Sequence, residues 1–310
     1  MGKLIHLFNT QSEFEEAYNG NKYIEPWVSY TEQEARVNYN KQYPKIIYKI
    51  TLTETTEWNI EKPTRNGAGF TNDVKRAKVD GVEVDNYIVS LGAGEHVIET
   101  EVGNGVICGS TFNGATVLTD VKFKGDWTII GNYAFAGCTG LTHIELPSNT
   151  LQLLENFAFR ECSNLVIGDM YLPELTLFDN AVFYGAAQQR GTLHLPKIET
   201  FGGTFAGFDR IILGDGGGTI TTLPEYWAAN SPYLKYVELP QTITNIGGMF
   251  LRDCPLIETV VIRATTPPEI GGYILLWAGT PQIQVPAESV DAYKTTGNWV
   301  SVANLIVPIP

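Results

Sequence analysis

Four cysteines, four histidines and 34 acidic residues are the groups of this 310-residue chain with the types for nucleophilic, acid–base or metal chemistry. Zinc takes four converging ligands, commonly from paired cysteines two to four residues apart. Cys108, Cys138, Cys162 and Cys254 contain no such pair. His6, His96, His143 and His194 are scattered, and no His-Glu-x-x-His helix accompanies them. No Gly-x-Ser-x-Gly elbow and no Gly-x-x-x-x-Gly-Lys-Ser/Thr loop is present. Gly214-Asp215-Gly216-Gly217-Gly218 has a phosphate-loop composition, but no Lys-Ser/Thr follows it, so it reads as a loop. Carboxylate pairs such as Glu161 and Asp169 are expected by chance at this acidic content. One trio, Asp120, His143 and Asp169, has the donor types for a divalent ion if neighbouring strands bring it together. The chemistry-bearing residues therefore predict no enzyme, no cofactor and no metal.

Whatever these residues do, longer patterns must position them. Key aromatics fall at Phe112, Phe135, Phe159, Phe183, Phe205, Trp227, Phe250 and Trp277, in steps of 22–27 residues. Between them recur Leu-x-x-Ile-x-Leu runs, as in Leu141, Ile144 and Leu146. A unit of that length cannot bury its apolar face alone. Stacking about eight units at roughly 4.8 Å gives a parallel sheet and a continuous core. The reading predicts one short strand per unit and places all eight aromatics in the core. Cys138, Cys162 and Cys254 recur at one site of the repeat, which predicts a buried column of thiols. Cys138 and Cys162 fall in adjacent turns, but parallel side chains are poorly aimed for the disulfide dihedral.

Ile130-Gly131-Asn132-Tyr133-Ala134-Phe135-Ala136-Gly137-Cys138, continuing to Leu141, Ile144, Leu146 and Pro147, resembles the BspA-like leucine-rich repeat family. The tail is similar too, from Thr266-Pro267-Pro268 through Ile283–Lys294 to Trp299 and Ile306–Ile309. The resemblance covers about two thirds of the chain. It implies a leucine-rich-repeat solenoid and the surface or secreted setting of such proteins in gut and oral anaerobes. Departures fall at Val182-Phe183, at Tyr226-Trp227, and where no cysteine follows Phe183 or Phe205.

The predicted fold is a β-rich solenoid with a small N-terminal β-domain and short capping helices. Residues 1–44 form a leader whose Thr10-Gln11-Ser12-Glu13 is a capping box for one short helix. Residues 45–103 form a small β-sandwich-like domain, with a hairpin at Asp80-Gly81. Residues 104–286 hold the repeats. Residues 287–310 form a C-terminal cap, with a short helix after Pro286 and Trp299 over the open core. The leader, with Pro26-Trp27-Val28-Ser29-Tyr30, is similar to leaders of virion proteins of phages and prophages of gut anaerobes.

A net charge of −13 disfavours electrostatic binding of nucleic acid. No apolar run approaches the roughly 18 residues of a membrane span. Met1–Asn9 lacks the apolar stretch of a secretory signal, so either a signal has been removed or the protein works without general secretion.

In each strand the residues flanking the central apolar one point outward. One predicted row runs Lys122, Glu145, Tyr171, His194, Ile212, Glu238, Val261, Gln284. The other runs Asp120, His143, Asp169, Thr192, Arg210, Tyr236, Thr259, Gln282. Tyr171, His194, Arg210, Tyr236 and Glu238 fall on its central strands and form the predicted binding patch, for a protein or a glycan. The expected function is adhesion or recognition at a cell surface or on a virion. The alternative is a structural spacer or virion decoration with an empty face.

Overall fold

The apolar residues of each turn have no shelter except the next turn, and the chain stacks accordingly. The computed structural model describes residues 43–63, 74–186, 191–202 and 208–310. The expected leader helix and virion-like segment lie outside these residues, as does Phe205. The chain divides into Met1–Tyr43 and Pro44–Pro310, and the second unit carries the solenoid.

Seven parallel strands form one sheet. Met170–Tyr171, Thr192–Leu195, Arg210–Leu213, Tyr236–Leu239, Thr259–Ile262, Gln282–Val285 and Ile306–Pro308 lie side by side in chain order. An earlier sheet pairs Leu118–Lys124 with His143–Glu145 in parallel. Each turn also carries a second strand, where the sequence reading expected one. Val106–Ile107, Ile129–Ile130, Leu153–Leu154, Leu177–Phe178 and Thr200–Phe201 form a second parallel sheet. Thr222–Leu223, Asn245–Ile246 and Glu269–Ile270 form a third. These pairs are two residues long, too short to show an alternating pattern.

Two corners with left-handed backbone shape the turns among the described residues. The first is held by Tyr133, Phe157, Ala181, Tyr226, Met249 and Tyr273, with φ of 52–59°. The second comes four residues later, at Gly137, Glu161, Gly185, Asn230, Asp253 and Trp277. Backbone bonds join corners to the next turn, as in Tyr133 N–H to Asn156 O (3.0 Å) and Gly137 N–H to Arg160 O (2.7 Å). The glycine of the Ile-Gly signature has a different cause. A Cβ at Gly247 would lie 2.3 Å from the Glu225 nitrogen of the preceding turn.

Between the corners sits the core. Phe112, Phe135, Phe159 and Phe183 stack face to face at 5.0–5.3 Å, within 7° of parallel. In later turns the aromatic moves one residue toward the first corner. Ala134-Phe135 and Ala158-Phe159 become Trp227-Ala228 and Phe250-Leu251. Trp227 and Phe250 stack at 5.9 Å in this second lane. At Trp227-Ala228 the large and small side chains trade places, while at Phe250-Leu251 a fully buried leucine follows the ring. Trp277 corrects the sequence reading. It occupies the second corner and is 65% exposed, while Ile274, 4% exposed, takes the interior place.

Both ends of the core are closed. Lys45–Leu52 pairs antiparallel with Leu118–Lys124, so strands from the 45–102 region continue the sheet of the first turns. The Tyr48 ring meets Phe112 edge-on at 5.1 Å and ends the phenylalanine column. At the other end a 3-10 turn, Ala287–Ser289, leads into the helix Val290–Thr295. Tyr293 and Trp299 are buried there, and their polar ends donate to Ala264 O (2.9 Å) and Pro268 O (2.8 Å).

Phe159 stands mid-column with full burial. Phe159→Ala is expected to cost about 3–5 kcal/mol in denaturant unfolding. A loss below about 1 kcal/mol, the range of a surface substitution, would contradict its place in the stack.

Candidate functional site

The seven-stranded sheet carries the outward rows in the expected register, except that Val261, read as outward, is buried at 3% exposure. Thr192, Arg210, Tyr236, Thr259 and Gln282 lie abreast, and so do His194, Ile212, Glu238, Val261 and Gln284. Tyr171 lies abreast of His194. The five predicted binding residues therefore share one face. The rows divide between the two sheets, because His143–Glu145 and Met170–Tyr171 belong to different sheets. That division separates the expected cation trio. His143 Nδ1 pairs with Asp120 at 2.9 Å, while Asp169 Oδ1 accepts the Thr192 amide at 2.7 Å. Among the described residues no group of three or more metal-ligating side chains forms.

Contacts within the face are dense. The Arg210 guanidinium lies 3.8 Å from the Tyr236 ring centroid. The Tyr236 hydroxyl donates to Glu238 Oε2 at 2.6 Å, and Arg263 Nε donates to Glu238 Oε1 at 2.6 Å. Burial, and then the hydrogen bond to Glu238, push the Tyr236 phenol up to about 12. It stays a neutral donor at physiological pH. One strand further toward the N-terminus, Tyr171 and His194 contact each other with ring centroids 5.0 Å apart. His194 Nε2 lies 2.7 and 2.8 Å from the two oxygens of Asp215. Tyr171 is exposed, and Glu238 is largely covered by its partners.

Asp215 and Arg263 complete the patch, and the sequence reading missed both. Asp215 lies 21 residues after His194, and Arg263 lies 25 after Glu238. Each separation is close to one turn of the solenoid. Scanning one repeat length from each outward residue would have found them.

The model of the BspA type leucine rich repeat region matches residues 98–205 and 203–275, in six copies. That span is more than half of the chain. The chain belongs to the BspA-type leucine-rich repeat family. Among solved structures it is similar to a leucine-rich repeat protein from Bacteroides ovatus ATCC 8483. The two are 17% identical, with 66% of this chain and 75% of that chain covered and a TM-score of 0.29. The comparison with curated proteins finds no match.

The thiols of this BspA-type solenoid have a structural occupation. Cys138 and Cys162 donate to the carbonyls of Phe112 and Phe135 in the preceding turn, both at 3.0 Å. Cys254 does the same to Ala228 O at 3.1 Å. Burial pushes the Cys138 thiol well up, with the neighbouring Cys162 thiol adding to it. Burial pushes Cys254 up to about 12. Such thiols are poor nucleophiles. Alkylation of the folded protein should spare Cys138, Cys162 and Cys254, and alkylation in denaturant should label all four cysteines. Two or fewer labels in denaturant would reveal a disulfide.

Proposed function

We propose that the protein is a non-catalytic recognition module whose sheet face binds a protein partner. Membership of a leucine-rich repeat family supports an interaction role. The observation that carries the reading is the connected set Arg210, Tyr236, Glu238 and Arg263, held in place before any partner arrives. Tyrosine and arginine are the residue types that most often anchor interfaces. Side chains already fixed by neighbours lose little freedom on binding. His194, fixed by Asp215, and the exposed Tyr171 extend the same surface along the sheet. The acid and base groups of the face are occupied with one another, which suits orientation of a surface rather than turnover.

The proposed setting is an outer surface, of a cell or of a virion, where the module serves adhesion. A spacer role would leave the face without a partner. The two are separated by binding measurements on a partner isolated from gut-bacterial envelopes by cross-linking to the sheet face. Tyr171→Ala with Tyr236→Phe should weaken its binding by about 1–2 kcal/mol or more per anchor while the melting temperature barely moves. Wild-type affinity in the double variant would remove the sheet face from recognition.

A further inference from the structure

The turns carry a second set of exposed aromatics, unrelated to the sheet face. Trp277 is 65% exposed and Tyr273 is 74% exposed. They occupy the two left-handed corners of one turn, with φ of 54° and 57°. At the position of Trp277 the other described turns place Gly137, Glu161, Gly185, Asn230 or Asp253, none of them aromatic. A bulky ring there adds backbone strain and contributes nothing to the core. Its ring is instead presented to solvent.

The surroundings of Trp277 are built. The Arg252 guanidinium lies 4.8 Å from its ring centroid, and Arg252 Nε donates to Asp253 at 3.1 Å. The guanidinium supports the indole from one side and leaves the rest of the ring open. Tyr226, Met249 and Tyr273 hold the first corner of three successive turns. They are joined by Tyr226 N–H to Gly248 O (3.1 Å) and Met249 N–H to Gly272 O (3.2 Å). The first corners thus follow one another along the turns to Tyr273, four residues before Trp277. The same device appears earlier in the solenoid. Arg160, paired with Glu161, lies 5.6 Å from the Phe157 ring and 5.8 Å from the Tyr184 ring.

We propose that the turn surface at Trp277 and Tyr273 is a second binding site, for a neutral oligosaccharide. A pyranose ring has an apolar C–H face and a rim of hydroxyls. An open indole accepts the first by stacking, and the Arg252–Asp253 fork offers donors and an acceptor to the second. Charge selects the class. Arg252 is already neutralised by Asp253, and the chain carries a net charge of −13, so an acidic polysaccharide is repelled.

Affinity electrophoresis of the whole chain tests this, with gels containing xylan, mannan or a β-glucan, and heparin as the acidic control. At least one neutral polysaccharide should retard the wild type, and heparin should not. Trp277→Gly should lower the apparent affinity at least tenfold. Glycine suits the corner, so the melting temperature of this variant should equal or exceed that of the wild type, which separates loss of binding from loss of fold. Tyr171→Ala with Tyr236→Phe should migrate as wild type, which separates this site from the sheet face. Absence of retardation by every neutral polysaccharide, retardation by heparin alone, or unchanged retardation of Trp277→Gly would overturn the proposal.

Discussion

Every feature of this molecule depends on one constraint: a turn of about 23 residues must close on itself so that its inner side chains meet those of the next turn. Closure is achieved by bending the backbone left-handed twice, four residues apart. Eleven non-glycine residues of the described turns, from Ser110 to Trp277, carry positive φ, which L-amino acids otherwise avoid. The strain is offset because the bend directs amide groups at carbonyls of the following turn and places one large ring between the corners. The thiols of Cys138, Cys162 and Cys254 then satisfy carbonyls of the preceding turn. Glycine in the Ile-Gly signature permits the turns to approach closely enough for all of this. The sheet face is a consequence. Its strands are abreast because the corners put them there.

The repeat, its parallel sheet and the outward rows were legible because each depends on spacing alone. Tyr171, His194, Arg210, Tyr236 and Glu238 share a face because a strand alternates and a parallel register repeats. Three features were not legible for physical reasons. The shift of the ring at Trp227-Ala228 and Phe250-Leu251 leaves both positions apolar, so either order satisfies the hydrophobic pattern. Its trace was the distance to the following cysteine, three residues from Phe135 to Cys138 but four from Phe250 to Cys254. Trp277 was assigned to the core by its residue type, although its step of 27 is the longest in the series. The division of the outward rows between Glu145 and Met170 depends on strand partners, which spacing within a strand does not report.

The N-terminal strands show how a solenoid manages its open end. A sheet edge left bare invites pairing with other chains. Lys45–Leu52 lies against Leu118–Lys124, and Tyr48 covers the first phenylalanine of the column. At the other end Tyr293 and Trp299 bury their rings while their polar atoms reach backbone carbonyls. Both ends of the solenoid's apolar core are thus covered. Its exposed aromatics are then presented by backbone that the interior has fixed, on the sheet face at Tyr171 and on the turns at Trp277. The cations in both places are shared with acids or rings, so each surface is patterned rather than strongly charged.

Stacking between turns fixes the geometry of the sheet face proposed to meet a partner. Amide hydrogen exchange resolved along the chain tests it most directly. The inner amides of Arg210–Leu213, Tyr236–Leu239 and Thr259–Ile262 should exchange only with global unfolding, as slowly as those of Phe135 and Phe159. Fast exchange in these strands while the phenylalanine column stays protected would show that the face is not fixed by the stack, and would contradict the account.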